Sequence, residues 1–500
     1  MNTEGGAPLL RVTVRTAASA RIGAGHAART TAVAEELARI GADVRWACDA
    51  DTVPFLAVRG IAADRIGVMR ESATLGHSGE RQAADEEQRA DAAETITLGD
   101  PGADWMLVDC YRLGASWHRA ARAGGARIAV FDDLADRPLD ADLVISAAAA
   151  ADRYASIAPG ARILDGLRHA IIGDPARPPA AGPGTLLLSF GAADPGNLTE
   201  ATLRALAARA ESFPGGMPST VIQLGEGAAC RGRVVDLAAT IPWATFAPAG
   251  PTAPGSPMIA IGAAGVGLLE RMRAGVPSVV VVAAPNQREL ADAAARAGAA
   301  VTAHTPEEAC EAAFALLAEP SDLRRMSIAG KAAVDGRGAA RVAREMNRLS
   351  GVYLRRASIH DAALLHAWRN HPTVRAVSHE TDEIPWEVHV RWLEASLARE
   401  NRHVLVAERR GRPLGTLRLD VGGECATVSI AVDPSLHGSG LGPAILNAGE
   451  RWVHDHDPRV RRLRAEIRPG NEASVRAFLT AGYLGGPDTY ERAVGRGGEP

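Results

Sequence analysis

The chain lacks the marks of a secreted, membrane-spanning or nucleic-acid-binding protein. Its five cysteines (Cys48, Cys110, Cys230, Cys310, Cys425) are scattered, with no CxxC pair and no close histidine partner. That spacing argues against a disulfide framework and a structural zinc site, and suits a reducing cytoplasm. Neither sign of charge dominates: 55 Lys+Arg against 59 Asp+Glu leave a formal net charge of −4. A basic surplus for nucleic acid is missing, and so is a basic amphipathic membrane anchor. The longest apolar run, residues 276–285, falls far short of a membrane span. The opening Met-Asn-Thr-Glu-Gly-Gly is acidic and has no apolar core, which predicts no signal peptide and a cytoplasmic location. What the chain does have is length: 500 residues exceed one core and predict two to four domains.

Residues 8–172 alternate strand and helix patterns, with strands expected at 9–14, 42–47, 105–109, 126–131 and 143–146. This rhythm predicts a parallel sheet with its ligand at the carboxyl ends of the strands. Residues 71–98 are polar and acidic, and read as a helix or surface excursion. From Asp174 to Gly184, three separated proline sites and glycine cannot continue a helix or central strand, which predicts a linker. The rhythm restarts over 185–348, with strands at 185–190, 219–224, 258–261 and 278–282. From Val352 the order changes to a strand (353–358), polar helices (361–370, 386–398), strands (403–408, 413–419, 426–432), a Gly-rich turn and a helix. The fold class expected is α/β, with two Rossmann-like domains (1–175, 176–348) followed by an α+β domain (349–500).

Residues 21–29, Arg-Ile-Gly-Ala-Gly-His-Ala-Ala-Arg, follow the first strand and open a helix. Gly23 and Gly25 permit a tight turn and close approach of a ligand. N–H groups at the helix start favour an anion, and His26 can exchange a proton near neutral pH. An ordinary turn with a solvated histidine explains the run equally well. Asp109 and Tyr111 lie just past one strand; Asp132, Asp133 and Arg137 lie just past another. Helix caps and an Arg–Asp pair would explain either cluster alone, but two clusters on the rim that carries His26 favour a binding site. In the second segment, Ile261-Gly-Ala-Ala-Gly-Val-Gly-Leu-Leu-Glu270 is a Gly-rich turn into a helix. Its N–H groups suit a diphosphate and Glu270 suits a ribose, unless the glycines merely pack helix on sheet. Asn286 and Gln287 add two amides at the same rim.

Taken together, Gly23-Ala-Gly-His-Ala-Ala-Arg29, Asp109-Cys-Tyr111 with Trp117, Asp132-Asp-Leu-Ala-Asp-Arg137, Phe190-Gly-Ala-Ala-Asp-Pro-Gly-Asn-Leu-Thr199, Glu270 and Asn286-Gln287 resemble one family in order and spacing. It is the PseG/SpsG type of nucleotide-sugar hydrolase, which acts on a UDP-2,4-diacetamido-2,4,6-trideoxyhexose in pseudaminic acid biosynthesis and is related to MurG-like GT-B glycosyltransferases. The resemblance implies a GT-B arrangement and metal-independent attack of water on the anomeric carbon, expelling UDP. It implies His26 as base, with Asp109 and Tyr111 beside the sugar. It implies substrate contacts from Gly23, Gly25, Arg29, Asp132, Arg137, Asp194, Asn197, Gly262, Gly265, Glu270, Asn286 and Gln287. The chain departs from the family at Ala264-Gly-Val-Gly267, where a hydroxyl residue is usual, and at His169, where related chains tend to carry Tyr.

Ala431-Val-Asp-Pro-Ser-Leu-His-Gly-Ser-Gly-Leu-Gly442 runs from a strand through a Gly-rich turn into a helix, and resembles the acetyl-CoA pyrophosphate loop of GNAT N-acetyltransferases. His437 stands at the usual Arg/Gln place, followed by Gly438, Gly440, Leu441 and Gly442; Asn471, Ser474 and Ala481-Gly-Tyr483 match later features. Trp368-Arg369-Asn370 and His389 resemble the acceptor side. The resemblance implies acetyl-CoA as co-substrate and thioester polarisation near Val432. Phe478 stands where many members carry a Tyr acid, which leaves Tyr483 as a substitute; Glu408 and His389 are candidate bases.

The two resemblances fit consecutive reactions. N-acetylation of the 4-amine of a UDP-4-amino-4,6-dideoxy sugar precedes loss of UDP, so a bifunctional enzyme is expected. Three alternatives stand against it: a GT-B glycosyltransferase fused to an acetyltransferase, a UDP-sugar-binding module in which only the acetyltransferase is active, and a non-enzymatic assembly or regulatory protein, which two intact ligand-site patterns disfavour.

Overall fold

Seven strands of the first segment form one sheet: β1 (Leu10–Thr16), β2 (Ala42–Cys48), β3 (Ile66–Val68), β4 (Trp105–Asp109), β5 (Arg127–Phe131), β6 (Leu143–Ser146) and β7 (Arg162–Asp165). Their order is β3-β2-β1-β4-β5-β6-β7, and the β1–β4, β4–β5, β5–β6, β6–β7 and β2–β3 pairs are parallel. Trp-Met-Leu-Val-Asp in β4 and Leu-Val-Ile-Ser in β6 are buried at every position, as strands covered on both faces must be. The structure is a computed structural model, and the residues it describes are 10–19, 25–70, 83–148, 150–172, 184–191, 194–213, 216–247, 258–282, 287–378, 380–409, 411–486 and 488–494. Gly23, Asn286, residues 71–82 and nearly all of the expected linker lie outside them.

The second sheet contains β8 (Leu186–Ser189), β9 (Thr220–Gln223), β10 (Ala244–Ala247), β11 (Ile259–Gly262), β12 (Ser278–Val281) and β13 (Ala300–Ala303). Its order is β10-β9-β8-β11-β12-β13, parallel throughout. Every strand that the sequence pattern missed in these two sheets, β3, β7, β10 and β13, is a sheet edge of three or four residues. Edge strands are covered on fewer sides, so they lack the continuous apolar run that reveals a central one.

The third sheet follows the order β14-β15-β16-β17-β18-β20-β19: β14 (Tyr353–Arg356), β15 (Arg402–Arg409), β16 (Arg412–Gly422), β17 (Cys425–Val432), β18 (Arg462–Glu466), β19 (Leu484–Gly485) and β20 (Thr489–Ala493). Only β17–β18 is parallel. Contacts group Arg11–Arg39 with Asp43–Val342, which carry the two parallel sheets, and set apart a second unit built on Ala343–Pro500. That second unit therefore begins inside the helix Gly338–Leu349.

Candidate functional site

In an open parallel sheet, ligands lie where the strand order reverses. In the first sheet that place is the β1/β4 junction, where Thr16 pairs with Asp109. The helix Gly25–Arg39 starts there with His26 in its first turn. His26 Nδ1 meets Asp109 Oδ1 at 2.5 Å. Arg29, one turn on, donates Nε to Asp109 Oδ2 at 2.5 Å and Nη2 to Oδ1 at 2.7 Å. Its Nη1 donates to Asp133 Oδ2 at 2.7 Å, and the Tyr111 hydroxyl donates to the same oxygen at 2.7 Å. The Tyr111 ring packs edge-on against His26, centroids 4.9 Å apart.

Burial alone would raise the Asp109 carboxyl, but Arg29 and His26 prevail and bring it down to about 2. An ionised Asp109 accepts from Nδ1, so a neutral His26 keeps its lone pair on Nε2, the tautomer a general base needs. Asp109 has no exposed side-chain surface and lies on the Nδ1 side of His26. Burial drives the Tyr111 hydroxyl well above its ordinary range, so it remains a hydrogen-bond donor. Asp132 binds Arg137 Nη1 at 2.7 Å, accepts the Ala135 N–H at 2.8 Å and meets the Tyr154 hydroxyl at 3.0 Å. It shapes the loop after β5, while Arg137 keeps one buried nitrogen, Nη2, without a partner.

The same rule selects the β8/β11 junction in the second sheet, where Ser189 pairs with Gly262. A Cβ on Gly262 would lie 2.0 Å from the Ser189 carbonyl oxygen, so no side chain fits there. Gly265 caps the helix Val266–Ala274 and has open space where its Cβ would be. Glu270 is exposed on that helix, and Gln287 stands before the helix Arg288–Arg296. A Cβ on Gly25 would lie 3.5 Å from Val266 Cγ2, so the first turns of the His26 helix and of the Gly265-capped helix are neighbours.

Arg271 carries no motif of its own in the sequence, where its adjacency to Glu270 is its only signal. Arg271 is buried beneath this loop, donating Nε to Ser278 Oγ at 3.1 Å and Nη2 to the Ala263 carbonyl at 3.0 Å. Burial brings its guanidinium down to about 10 although Glu270 opposes this. Two expected ligand contacts also have partners within the fold, although Asn197 Oδ1 is buried without one among the described residues. Asp194 accepts the Leu198 and Thr199 N–H groups at 3.0 and 2.8 Å, capping the helix Leu198–Arg209, and Asn197 donates to Glu200 at 3.0 Å. A carboxylate of the chain thus occupies the anion position of that helix. Trp117 likewise donates to buried Asp91 at 2.7 Å within the Arg15 ion-pair network. His169 holds the Asp165 carbonyl at 2.6 Å.

In the third sheet, β17 pairs with β18 only over Cys425–Thr427, then runs on to Val432 beside β16. The opened strand leads to Gly438 and Gly440, with φ of +80° and +83°, a region where glycine is unstrained. The helix Leu441–His456 starts immediately after. His437 Nε2 meets the Val432 carbonyl at 3.1 Å, tying the turn to the strand end. Leu441 is buried, and a Cβ on Gly442 would lie 3.1 Å from Ala477 Cβ, so Gly442 permits helix packing. Asn471 caps the helix Glu472–Thr480 by accepting the Ser474 N–H at 3.1 Å.

On the expected acceptor side, Trp368 belongs to the core with Leu365, Leu393 and Val406. Arg369 donates to the Glu380 carbonyl at 2.9 Å, and Asn370 holds Ile384 through two hydrogen bonds and His366 through a third. His389 is buried 5.2 Å from the His366 ring, with its Nε2 unpartnered, and burial lowers its basicity. Glu408 is engaged by Arg355 at 2.7 Å. Tyr483 is buried with its hydroxyl unpartnered, and burial raises that hydroxyl far above its ordinary value.

Among the described residues no cluster of three or more His, Cys, Asp or Glu can hold a metal ion, and no helix is long and apolar enough to cross a membrane. Residues 364–483 match the sequence model of the Acetyltransferase (GNAT) family. Among solved structures, this chain is similar to the aminoglycoside acetyltransferase AAC(6')-Ib in complex with coenzyme A (19% identity, 29% of this chain and 95% of that one, TM-score 0.26). It is similar to spermidine N-acetyltransferase from Vibrio cholerae in complex with CoA and spermine (12%, 29% and 96%, TM-score 0.27). It is also similar to an acetyltransferase from Thermus thermophilus (26%, 29% and 97%, TM-score 0.25). No curated protein matches the chain. The family assignment rests on the sequence match, and it covers one part of the chain: residues 364–483 form a GNAT acetyltransferase domain.

Proposed function

We propose that the chain is a bifunctional nucleotide-sugar enzyme. In this reading the GNAT domain transfers an acetyl group from acetyl-CoA to the 4-amine of a UDP-4-amino-4,6-dideoxy sugar. The opening between β17 and β18 above the Gly438–Gly440 turn carries the proposal. It leaves the Val432 backbone beside a helix N-terminus suited to pyrophosphate, so thioester and phosphates have separate partners. The neutral amine nitrogen attacks the thioester carbonyl, the C–S bond breaks, and the proton lost by nitrogen ends on the CoA thiol.

The two parallel sheets, in a GT-B arrangement, then hydrolyse the diacetamido product. A specific observation favours this second activity: a histidine held by a buried, ionised aspartate at the switch point of a parallel sheet. Water attacks the anomeric carbon, His26 Nε2 takes its proton, and the bond to the diphosphate oxygen breaks to release UDP. The N-terminus of the helix Val266–Ala274 and the buried Arg271 charge favour the growing phosphate charge. Backbone N–H groups perform this where the missing loop hydroxyl would have helped.

Mass spectrometry of the full chain with a UDP-2,4-diacetamido-2,4,6-trideoxyhexose, without acceptor, tests the hydrolysis. Release of UDP and free sugar, lost in His26→Ala, is expected. Intact substrate in both samples overturns the hydrolase and favours glycosyl transfer or simple binding. Acetyl-CoA with the 4-amino precursor should add one acetyl mass; no addition sinks the acetyltransferase substrate.

A further inference from the structure

The turn between β17 and its following helix is held by a residue outside the family match. Asn347 lies in the helix Gly338–Leu349 and is fully buried. Its Nδ2 donates to the Ser439 carbonyl at 2.7 Å. Its Oδ1 accepts from Arg409 Nη1, and its carbonyl accepts from Arg409 Nη2 at 2.6 Å. Arg409 is buried at the end of β15 and donates Nε to the Gly351 carbonyl at 2.9 Å. The same helix comes close elsewhere: a Cβ on Gly440 would lie 3.1 Å from the Arg344 carbonyl oxygen.

Peptide planarity gives this clamp a consequence. In a trans peptide, C=O and the following N–H point to opposite sides. Drawing the Ser439 carbonyl toward Asn347 therefore aims the Gly440 N–H the other way. Gly440, which follows that peptide, has a positive φ and no side chain, so its own backbone preference does little to fix the peptide's orientation. A buried amide that uses its donor on the loop and its acceptor on a buried guanidinium is locked in one orientation.

We propose that Asn347 is a positioning residue for acetyl-CoA: braced by Arg409, it holds the Ser439–Gly440 peptide in the orientation that presents the turn's N–H groups to the pyrophosphate. This rests on the acetyltransferase reading. The sequence match begins at residue 364, so the working acetyltransferase unit includes the helix before it.

The test measures acetyl-CoA affinity of the full chain by isothermal titration calorimetry. Asn347→Asp keeps an acceptor for Arg409 but loses the donor to Ser439. Asn347→Ala loses both without adding charge. Both variants should bind acetyl-CoA about tenfold more weakly, the loss expected for one well-placed hydrogen bond. S-acetylpantetheine, which lacks the pyrophosphate, should bind parent and Asn347→Asp alike. Asn347→Asp should still melt in one cooperative transition without ligand, because its carboxylate still satisfies Arg409. If parent and variants bind acetyl-CoA equally, or if S-acetylpantetheine weakens in step with acetyl-CoA, the positioning role is overturned while the acetyltransferase reading stands. If the parent itself binds no acetyl-CoA, that reading fails and the positioning role falls with it.

Discussion

In the proposed hydrolysis His26 and Asp109 act as one pair. Replacing His26 by Ala should lower UDP release about 10²- to 10⁴-fold, the span of general base catalysis, measured as kcat under saturating substrate. Asp109→Asn should also lower kcat, because the amide no longer fixes the Nδ1–H tautomer. The folded Asp109 carboxyl, at about 2, lies below its ordinary 3.8. It therefore stabilises the fold above pH about 4, and that contribution is lost as pH falls through about 2. Stability curves of parent and Asp109→Asn, measured by chemical denaturation, should be farthest apart at neutral pH and converge in strong acid. A constant gap down to pH 2 would show that Asp109 is not held ionised by its partners. The residue types at this site were legible in the chain, but their roles were not. The sequence places Asp109 at the strand end, and only the fold shows it fully buried between His26 and Arg29.

At the scale of elements, the Gly-rich turns divide into glycines required by packing and glycines left open to a ligand. Gly262→Ala should destabilise the protein by ~2–4 kcal/mol in urea unfolding, since the added methyl meets a strand carbonyl that cannot retreat without breaking the β8–β11 ladder. Arg271 makes a prediction with two opposite signs. A buried cation hydrogen-bonded to neutral groups is costly in the free protein and useful when a diphosphate arrives. Arg271→Met should therefore leave the ligand-free melting temperature unchanged or raised, yet weaken UDP binding about tenfold by calorimetry. A lower melting temperature with unchanged UDP affinity would make Arg271 a brace of the loop alone. Central strands of the two parallel sheets were legible to within a residue or two because burial on both faces demands continuous apolar runs. The cap made by Asp194 was not, because a carboxylate before a helix has the same sequence signature whether it serves the helix or a ligand.

At the scale of the whole molecule, the two proposed chemistries fall in separate units of one chain. The product of the proposed acetyl transfer is the substrate of the proposed hydrolysis, and the two reactions share no catalytic residue. His26→Ala should therefore accumulate the acetylated UDP-sugar at the parental rate of acetyl transfer, followed by mass spectrometry. Loss of acetylation together with hydrolysis would mean that the two activities are not separable.

By itself the sequence determined what local chemistry can determine: alternating strand and helix, glycine at turns, the order of motifs, and a C-terminal segment of another class. These are short-range properties, set by apolar periodicity and backbone freedom. Only the tertiary structure decided which polar groups meet. His26 and Asp109 are 83 positions apart, and Asn347 and Ser439 are 92 apart. Strand order and register bring each pair within hydrogen-bond reach, and burial then decides the role. Once water is excluded, a carboxylate or amide must be satisfied by the chain, and the partner it finds fixes what it does.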